Sequence, residues 1–441
     1  MQKIILSVAL VLSANAQNLK TTVAEVLSTN PVILERLQNY KATQKDITTA
    51  QSAYYPKLDL NLGGGYEKTK RRNQANNAAD TSYNYNVYQN SLKYTQNLFN
   101  GFDTTYRVQG QEYRTVSAAY SYIEKVNDRS FALVNAYIEV MKNQELLKTA
   151  QENVDIDQEI LDKVKKLYDA GLTTLSEVNK IESSLALAKS NLVVQENTIL
   201  NTSYNLENIL GRHLNPADMT KPKLDVTFPA NIKEAVAFSL KNNPSILVSN
   251  YNIKLAQSTY KGQKSTYYPK IDIEVSESMN KNLSGIKGNN DGFRAMAYLS
   301  YNFFNGFADQ AAVQQSMTKI QQEQETKNNL KRKVTQGLNL SWVAYIKLQE
   351  QLLHLKEYKE YSHKTLTLYS KEYDLGRRSL LDLLSAQNDF IHSKSQIITT
   401  EYSILFAKYR ILDAMGTLVD TVLGDKNFAY NNVNITHTDI K

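Results

Sequence analysis

Five histidines, no cysteine and a scatter of carboxylates limit the chemistry open to this chain of 441 residues. His213, His354, His363, His392 and His437 are far apart. His354 and His363 fall nine apart in a helical stretch, not four, so they cannot share one metal on a single helix face. Without cysteine there is no disulfide framework and no thiolate nucleophile. No glycine-rich phosphate loop or nucleophile elbow is present. Gly63-Gly64-Gly65 lies inside a strand pattern and reads as a bend or bulge. No metal and no cofactor are therefore expected, and no catalysis. Asp59, Asp272 and Glu274 remain, each alternating with apolar residues. Carboxylates on the polar face of such strands would line a barrel lumen, keep it hydrated and bear on its selectivity.

The elements that position them occur twice. Tyr54-Tyr55-Pro56-Lys57-Leu58-Asp59-Leu60 returns 213 residues later as Tyr267-Tyr268-Pro269-Lys270-Ile271-Asp272-Ile273. Asn30-Pro31 and Asn243-Pro244 keep that spacing. Leu98-Phe99-Asn100-Gly101-Phe102 returns as Phe303-Phe304-Asn305-Gly306-Phe307, now 205 residues later, as do Gly171 and Gly376. One unit of about two hundred residues is written twice, too long for a solenoid repeat, and about eight residues are lost inside the second copy.

Each copy begins with helical periodicity, broken by an Asn-Pro pair that caps a second helix. The Tyr-Pro pair then ends helix growth. Beyond it the period becomes two: Leu58, Leu60 and Leu62, then Tyr83, Tyr85, Val87, Leu92 and Tyr94 around a polar tip at Lys68 to Thr81. The second copy alternates through Ile271, Ile273 and Val275, then Ala297, Leu299, Tyr301 and Phe303, around a tip at Asn280 to Gly292. Such strands suit either a water-filled membrane barrel or a soluble two-sided sheet, and tyrosines near their ends favour the membrane interface. Proline-free tracts follow, about 100 Å long as helices at 1.5 Å per residue. Each turns at a glycine, Gly171 or Gly376, and runs back to Gly211 or Gly416. Rods of that length need partner helices along their apolar stripe.

Met1-Gln2-Lys3, the apolar run Ile4 to Leu12 and Ala14-Asn15-Ala16 read as a secretory signal, with a buried first helix as the alternative. The division expected is a signal peptide at 1–16, a first repeat at 17–212, a connector at 213–230, a second repeat at 231–416 and a polar tail at 417–441. Within the repeats, β-hairpins fall at about 57–99 and 270–304, and long helical hairpins at about 101–211 and 306–415. The net charge of +7 is spread among 51 basic and 44 acidic residues without a basic run, so no nucleic-acid partner is expected.

A doubled order of Asn-Pro helix, Tyr-Pro, strand, loop, strand, Asn-Gly-Phe, long helix, glycine turn and long helix resembles the TolC family of outer-membrane efflux and secretion ducts. The resemblance covers nearly the whole chain after residue 16. It implies a mainly α protein with β: long antiparallel helical hairpins forming an α-barrel, and four strands per protomer in a trimeric twelve-stranded transmembrane β-barrel. Four strands alone cannot close a barrel, which independently requires oligomerisation if the hairpins sit in lipid. The resemblance also implies a homotrimer in outer-membrane lipid, with its helices in the periplasm of a Gram-negative-type bacterium. Its partners would be a periplasmic adaptor and an inner-membrane pump, proton-driven or ATP-driven. The duct would be passive and opened at its periplasmic end, where polar contacts between the helical turns form a gate. The matching residues are Glu177, Tyr373, Arg378 and Asp382. The family pattern carries a second acidic residue one turn after Asp382; this chain has Ser385. The rival reading is a secreted coiled-coil adhesin stalk without channel activity.

Overall fold

The computed structural model describes residues 18–71, 81–224, 226, 228–425 and 428–433. The expected signal peptide lies outside them. The described chain forms two compact units. One takes Asn39–Ala118 and Val248–Asn328, and the other takes the remaining described residues.

The duplication is carried through in three dimensions. Helices α1 (Leu19–Thr29) and α2 (Pro31–Gln51) match α5 (Ile232–Asn242) and α6 (Pro244–Gln263). Strands β1 (Lys57–Arg71) and β2 (Thr81–Asn100) match β3 (Lys270–Lys281) and β4 (Asn289–Ser300). Helices α3 (Asp103–Asp169) and α7 (Ala308–Asp374) have 67 residues each, while α4 (Leu175–Leu210) and α8 (Leu380–Met415) have 36 each. The Asn-Pro joins act as read: the Asn30 and Asn243 side-chain oxygens accept the Val32 and Ser245 amides, both at 3.0 Å. Gly171, Gly211, Gly376 and Gly416 all take the left-handed conformation that ends a helix.

In the unit containing the sheet, the strand order is β1-β2-β3-β4, antiparallel throughout. Cross-strand partners share a face, so the register sorts every side chain. One face carries Leu58, Leu60, Leu62 and Tyr66 of β1 beside Tyr88, Leu92 and Tyr94 of β2, then Val275, Met279, Phe293 and Leu299. Leu58, Leu62 and Leu299 on it are exposed. The other face carries Asp59, Asn61, Lys93, Thr95, Asp272, Glu274, Ser276 and Arg294. The apolar belt on β1, Leu58 to Tyr66, extends about 27 Å at ~3.4 Å per residue. That matches the roughly 25 Å apolar band of an outer-membrane barrel. Exposed Tyr54, Tyr55, Tyr267, Tyr268, Phe303 and Phe304 cluster where the strands begin and end, an interfacial aromatic girdle.

Four strand details differ from the sequence reading. The strands reach into both polar tips, to Arg71 and Thr81 and to Lys281 and Asn289, because ladder pairing satisfies the backbone there regardless of side-chain polarity. Gly63, Gly64 and Gly65 are neither bend nor bulge; they pair one to one with Gln89, Tyr88 and Val87. The bulge sits instead between Asn97 and Phe99, where β2 meets Asp272 and Ile271. Tyr83, Tyr85 and Val87 lie on the polar face, not with Leu92 and Tyr94, and the first two stack at 6.1 Å between ring centres. Finally, β4 stops at Ser300, leaving Tyr301 and Phe303 outside any strand.

The other unit is helical. Its core near the glycine turns joins Val154, Leu161 and Val164 of α3, Val178, Ile181 and Leu185 of α4, Tyr373 of α7, and Leu380, Leu383 and Leu384 of α8. The segment after Gly211 holds to this unit by the Tyr137 hydroxyl, which donates to the Thr220 carbonyl at 2.9 Å and accepts its amide at 3.0 Å. The region expected as a polar tail is packed over its first part. Leu418, Val419 and Leu423 of α9 (Leu418–Leu423) are buried, as are Tyr430 and Val433, and Asn432 donates to the Tyr122 hydroxyl. Apolar residues at helical spacing within a polar segment account for this.

Candidate functional site

The two glycine turns carry one polar cluster. After α3, the Gly171 amide bonds to the Tyr168 carbonyl and the Leu172 amide to the Leu167 carbonyl, both at 2.8 Å, which reverses the chain in five residues. Glu177 then sits in the first turn of α4, where a carboxylate suits the positive end of the helix. Its Oε2 accepts the Thr173 hydroxyl at 2.5 Å and the Tyr373 hydroxyl at 3.4 Å. Tyr373 is buried among the core residues above. That burial, reinforced by the charges of Glu177 and Asp374, pushes its hydroxyl up to about 12, so it remains a donor at any working pH.

The second turn is built the same way, with Gly376 donating to the Tyr373 carbonyl and Arg377 to that of Glu372. Arg378 points back across it. Its Nε and Nη2 reach Glu372 Oε2 at 2.9 and 2.7 Å, its guanidinium lies 4.2 Å from the centre of the Tyr369 ring, and Asp382 is 4.0 Å away. Asp382 is engaged by Ser379, whose hydroxyl donates to it at 2.8 Å and caps α8. Glu177 and Tyr373 are thus brought together across the two turns. Arg378 and Asp382 stay within one turn, and the main partner of Arg378 is Glu372.

On the polar face of the sheet, Glu274 pairs with Lys93 at 2.7 Å, and Asp272 accepts the Asn97 amide at 2.7 Å. Asp59 lies directly across from Lys93 on the neighbouring strand. All three expected carboxylates therefore share one face, with Lys93 between Asp59 and Glu274.

A family model described as "Outer membrane efflux protein" matches residues 22–212 and 237–417, most of the chain. The chain belongs to the outer membrane efflux protein family. It is 20% identical over 414 residues to outer membrane efflux protein BepC of Brucella suis biovar 1 (strain 1330), covering 93% of this chain and 88% of that one. It is 22% identical over 392 residues to proteases secretion protein PrtF of Dickeya chrysanthemi, covering 86% and 83%. Among solved structures, the fold superposes on the outer membrane protein VceC of Vibrio cholerae with a TM-score of 0.78 at 15% identity, covering 90% of this chain and 96% of that one.

As a member of the outer membrane efflux proteins, the chain is an outer-membrane channel, and proteins of this family are channels rather than enzymes. The stalk reading is thereby set aside. No helix among the described residues is long and apolar enough to cross a membrane.

Two residues of this family member escaped the sequence reading. Glu372 carries no signal in the repeat, where its counterpart is Leu167. Arg378 and Asp382 correspond to Thr173 and Glu177, so each copy places a donor four residues before its carboxylate, and Arg378 has donors to spare. Asp157 is the second. It is 1% exposed, and accepts Gln387 Nε2 at 2.7 Å and the Ser184 hydroxyl at 3.1 Å, tying α3 to α4 and α8. Burial raises its pKa above the usual carboxylate range. Its signal was position: it lies three residues after Val154 and four before Leu161, on the apolar seam.

Proposed function

We propose that three copies of this chain assemble into a passive exit duct, with four strands from each closing a twelve-stranded barrel in the outer membrane. The observation that carries this reading is the sheet itself. It has one apolar exposed face, one polar face, and two outer strands, β1 and β4, that no strand of the described chain covers. Open strand edges in lipid leave backbone groups without partners, and closure by further copies removes them. Asp59, Asp272 and Glu274 then face the lumen and keep it wet. The paired helices extend the duct into the periplasm. An adaptor docking near the glycine turns connects it to an inner-membrane pump, proton-driven or ATP-driven, which supplies the energy. Glu177, Tyr373, Arg378 and Asp382, with Glu372, form the latch that the partners release. Weak exposed ion pairs suit this role, each being worth ~0–1 kcal/mol.

The test is the mass of the purified protein in detergent together with its conductance in a planar bilayer. A particle of three protomers with a small, stable conductance is expected. A water-soluble protein without conductance would refute the duct.

A further inference from the structure

The internal repeat specifies how one copy of the chain meets the next, residue by residue. Within one chain, the end of the first repeat docks on the start of the second. There β2 pairs with β3, Asn97 bonds to Asp272, and the Phe99 and Phe102 rings meet Tyr268 edge-on at 6.5 and 5.7 Å. Gly101 is wedged so tightly that an added Cβ would lie 2.5 Å from the Ser265 carbonyl oxygen and 2.9 Å from Tyr268 Cβ. The end of the second repeat has the same parts and no such dock. Gly306 repeats the left-handed φ of Gly101, +57° against +67°, and Phe307 repeats that of Phe102, +63° against +70°. Yet nothing lies within 4 Å of the Cβ position of Gly306. Phe304 and Phe307 are 69% and 71% exposed, and so is Tyr55, at 69%, the counterpart of Tyr268 at the other end of the chain.

We propose that β4 pairs with β1 of the next copy in the register that β2 and β3 already use. This rests on the assembly reading above and fixes its seam. Moving β2 forward by 205 positions and β3 back by 213 sets Asn302 opposite Asp59, Leu299 opposite Leu62, Tyr298 opposite Gly63 and Met296 opposite Gly65. The bulge falls at Phe303, and Gly306 meets Ser52 and Tyr55 of the next copy.

Three independent features agree with that register. It puts like on like: Leu299 and Leu62 share the apolar face, Asn302 and Asp59 the polar one. A slip of one residue would reverse every side chain. It accounts for the glycines of β1, since Gly63 and Gly65 leave room on the polar face for the bulky Tyr298 and Met296 across the seam. It also accounts for the early end of β4. The counterparts of residues 301–305 are strand in β2, up to Asn100, where β3 supplies the ladder; in a single copy, 301–305 lack that partner. These five residues become strand when the copies meet.

Because the chain has no native cysteine, the seam can be read by cross-linking the full-length protein. Leu62→Cys is combined in turn with Ala297→Cys, Leu299→Cys and Tyr301→Cys, and the detergent-purified protein is oxidised. Directly opposed strand residues have Cα atoms about 4.5–5.5 Å apart, within disulfide reach, and residues two positions off do not. The Leu299→Cys combination is expected to give covalent trimers on a denaturing gel at least tenfold more than either neighbour. Preferential linkage through position 297 or 301 would overturn the register. Hydrogen exchange on the unaltered protein checks the same point without substitutions. Protected amides at 301–305 in the trimer are expected, and unprotected ones would overturn the strand extension. A single-protomer mass would overturn the assembly itself, and the seam with it.

Discussion

Removing one hydroxyl from Tyr373 should loosen the latch without disturbing the core beneath it. Tyr373→Phe keeps the buried ring against its aliphatic neighbours and deletes only the bond to Glu177. A hydrogen bond to a charged group contributes ~1.5–3 kcal/mol at good geometry. At 3.4 Å this one is at the long limit, so about 0.5–1 kcal/mol per copy is apt. In the proposed trimer, three copies released together lose about 1.5–3 kcal/mol, which shifts the closed-to-open balance by roughly ten- to a hundredfold. Planar-bilayer recordings should show it as longer and more frequent high-conductance openings. Glu177→Leu, which leaves no acceptor where Gln would keep one, should have a similar effect, and the double variant should go no further than either single one, because both remove the same contact. With its hydroxyl pushed up to about 12, Tyr373 should contribute no pH dependence of its own between pH 7 and 10. Unaltered conductance in both single variants, or increments that add in the double one, would refute a Tyr373–Glu177 latch.

Asp413 of α8 offers a second handle. Burial, helped by the nearby charge of Asp128 and opposed by Arg410, pushes its carboxyl up to about 7. A folded-state pKa above the unfolded value of ~3.9 means that the stability of the protonated fold is complete below pH ~4 and is lost as pH rises towards 7. Asp413→Asn avoids that loss. Thermal unfolding should show the variant gaining on its parent by at most about 1.4 kcal/mol per pH unit over this window, and by roughly 2–4 kcal/mol in total given the residue's partial exposure. A gain that does not vary with pH would contradict the assignment. Gly101→Ala should cost more than ~2 kcal/mol, from the left-handed backbone and from the clash with Ser265 and Tyr268. Loss of heat-resistant folded protein on a gel would report it, and a variant as stable as its parent would mean the junction is looser than described.

The helices were legible because their ends are chemical events. Asn30 and Asn243 cap, Gly171 and Gly376 turn, Gly211 and Gly416 stop, and each signal was present twice. The polar and apolar faces of β1, β3 and β4 were legible for the same reason, with Leu58 and Asp59 pointing opposite ways. What escaped depended on a partner strand or helix. Tyr83 and Tyr85 alternate as faithfully as Leu92 and Tyr94, yet occupy the other face: pairing with β1 makes them one unbroken strand, and Tyr85 and Leu92 are seven apart, an odd spacing that puts them on opposite faces. The bulge at Leu98 has no glycine to announce it. The Arg378–Glu372 pair closes across a glycine turn that brings residues six apart into contact. Asp157 is buried by α4 and α8 closing over it, through Ser184 and Gln387, which α3 alone does not reveal.

The long helices of the two copies are equal in length, 67 with 67 and 36 with 36, and the repeat spacing changes only within the hairpins, 44 residues from Lys57 to Asn100 against 36 from Lys270 to Asn305. Losing a single residue inside a helix turns everything beyond it by about 100° and carries its apolar stripe off the neighbouring helices. Nothing comparable constrains a hairpin tip, where a whole ladder rung can be added or removed in pairs. Length in this protein is therefore free to drift at one end of each repeat and held to the residue everywhere else. A foreign peptide grafted between β3 and β4 should be carried to the cell surface intact, whereas the same graft in α7 would have to be mirrored in α3 before the bundle could accept it.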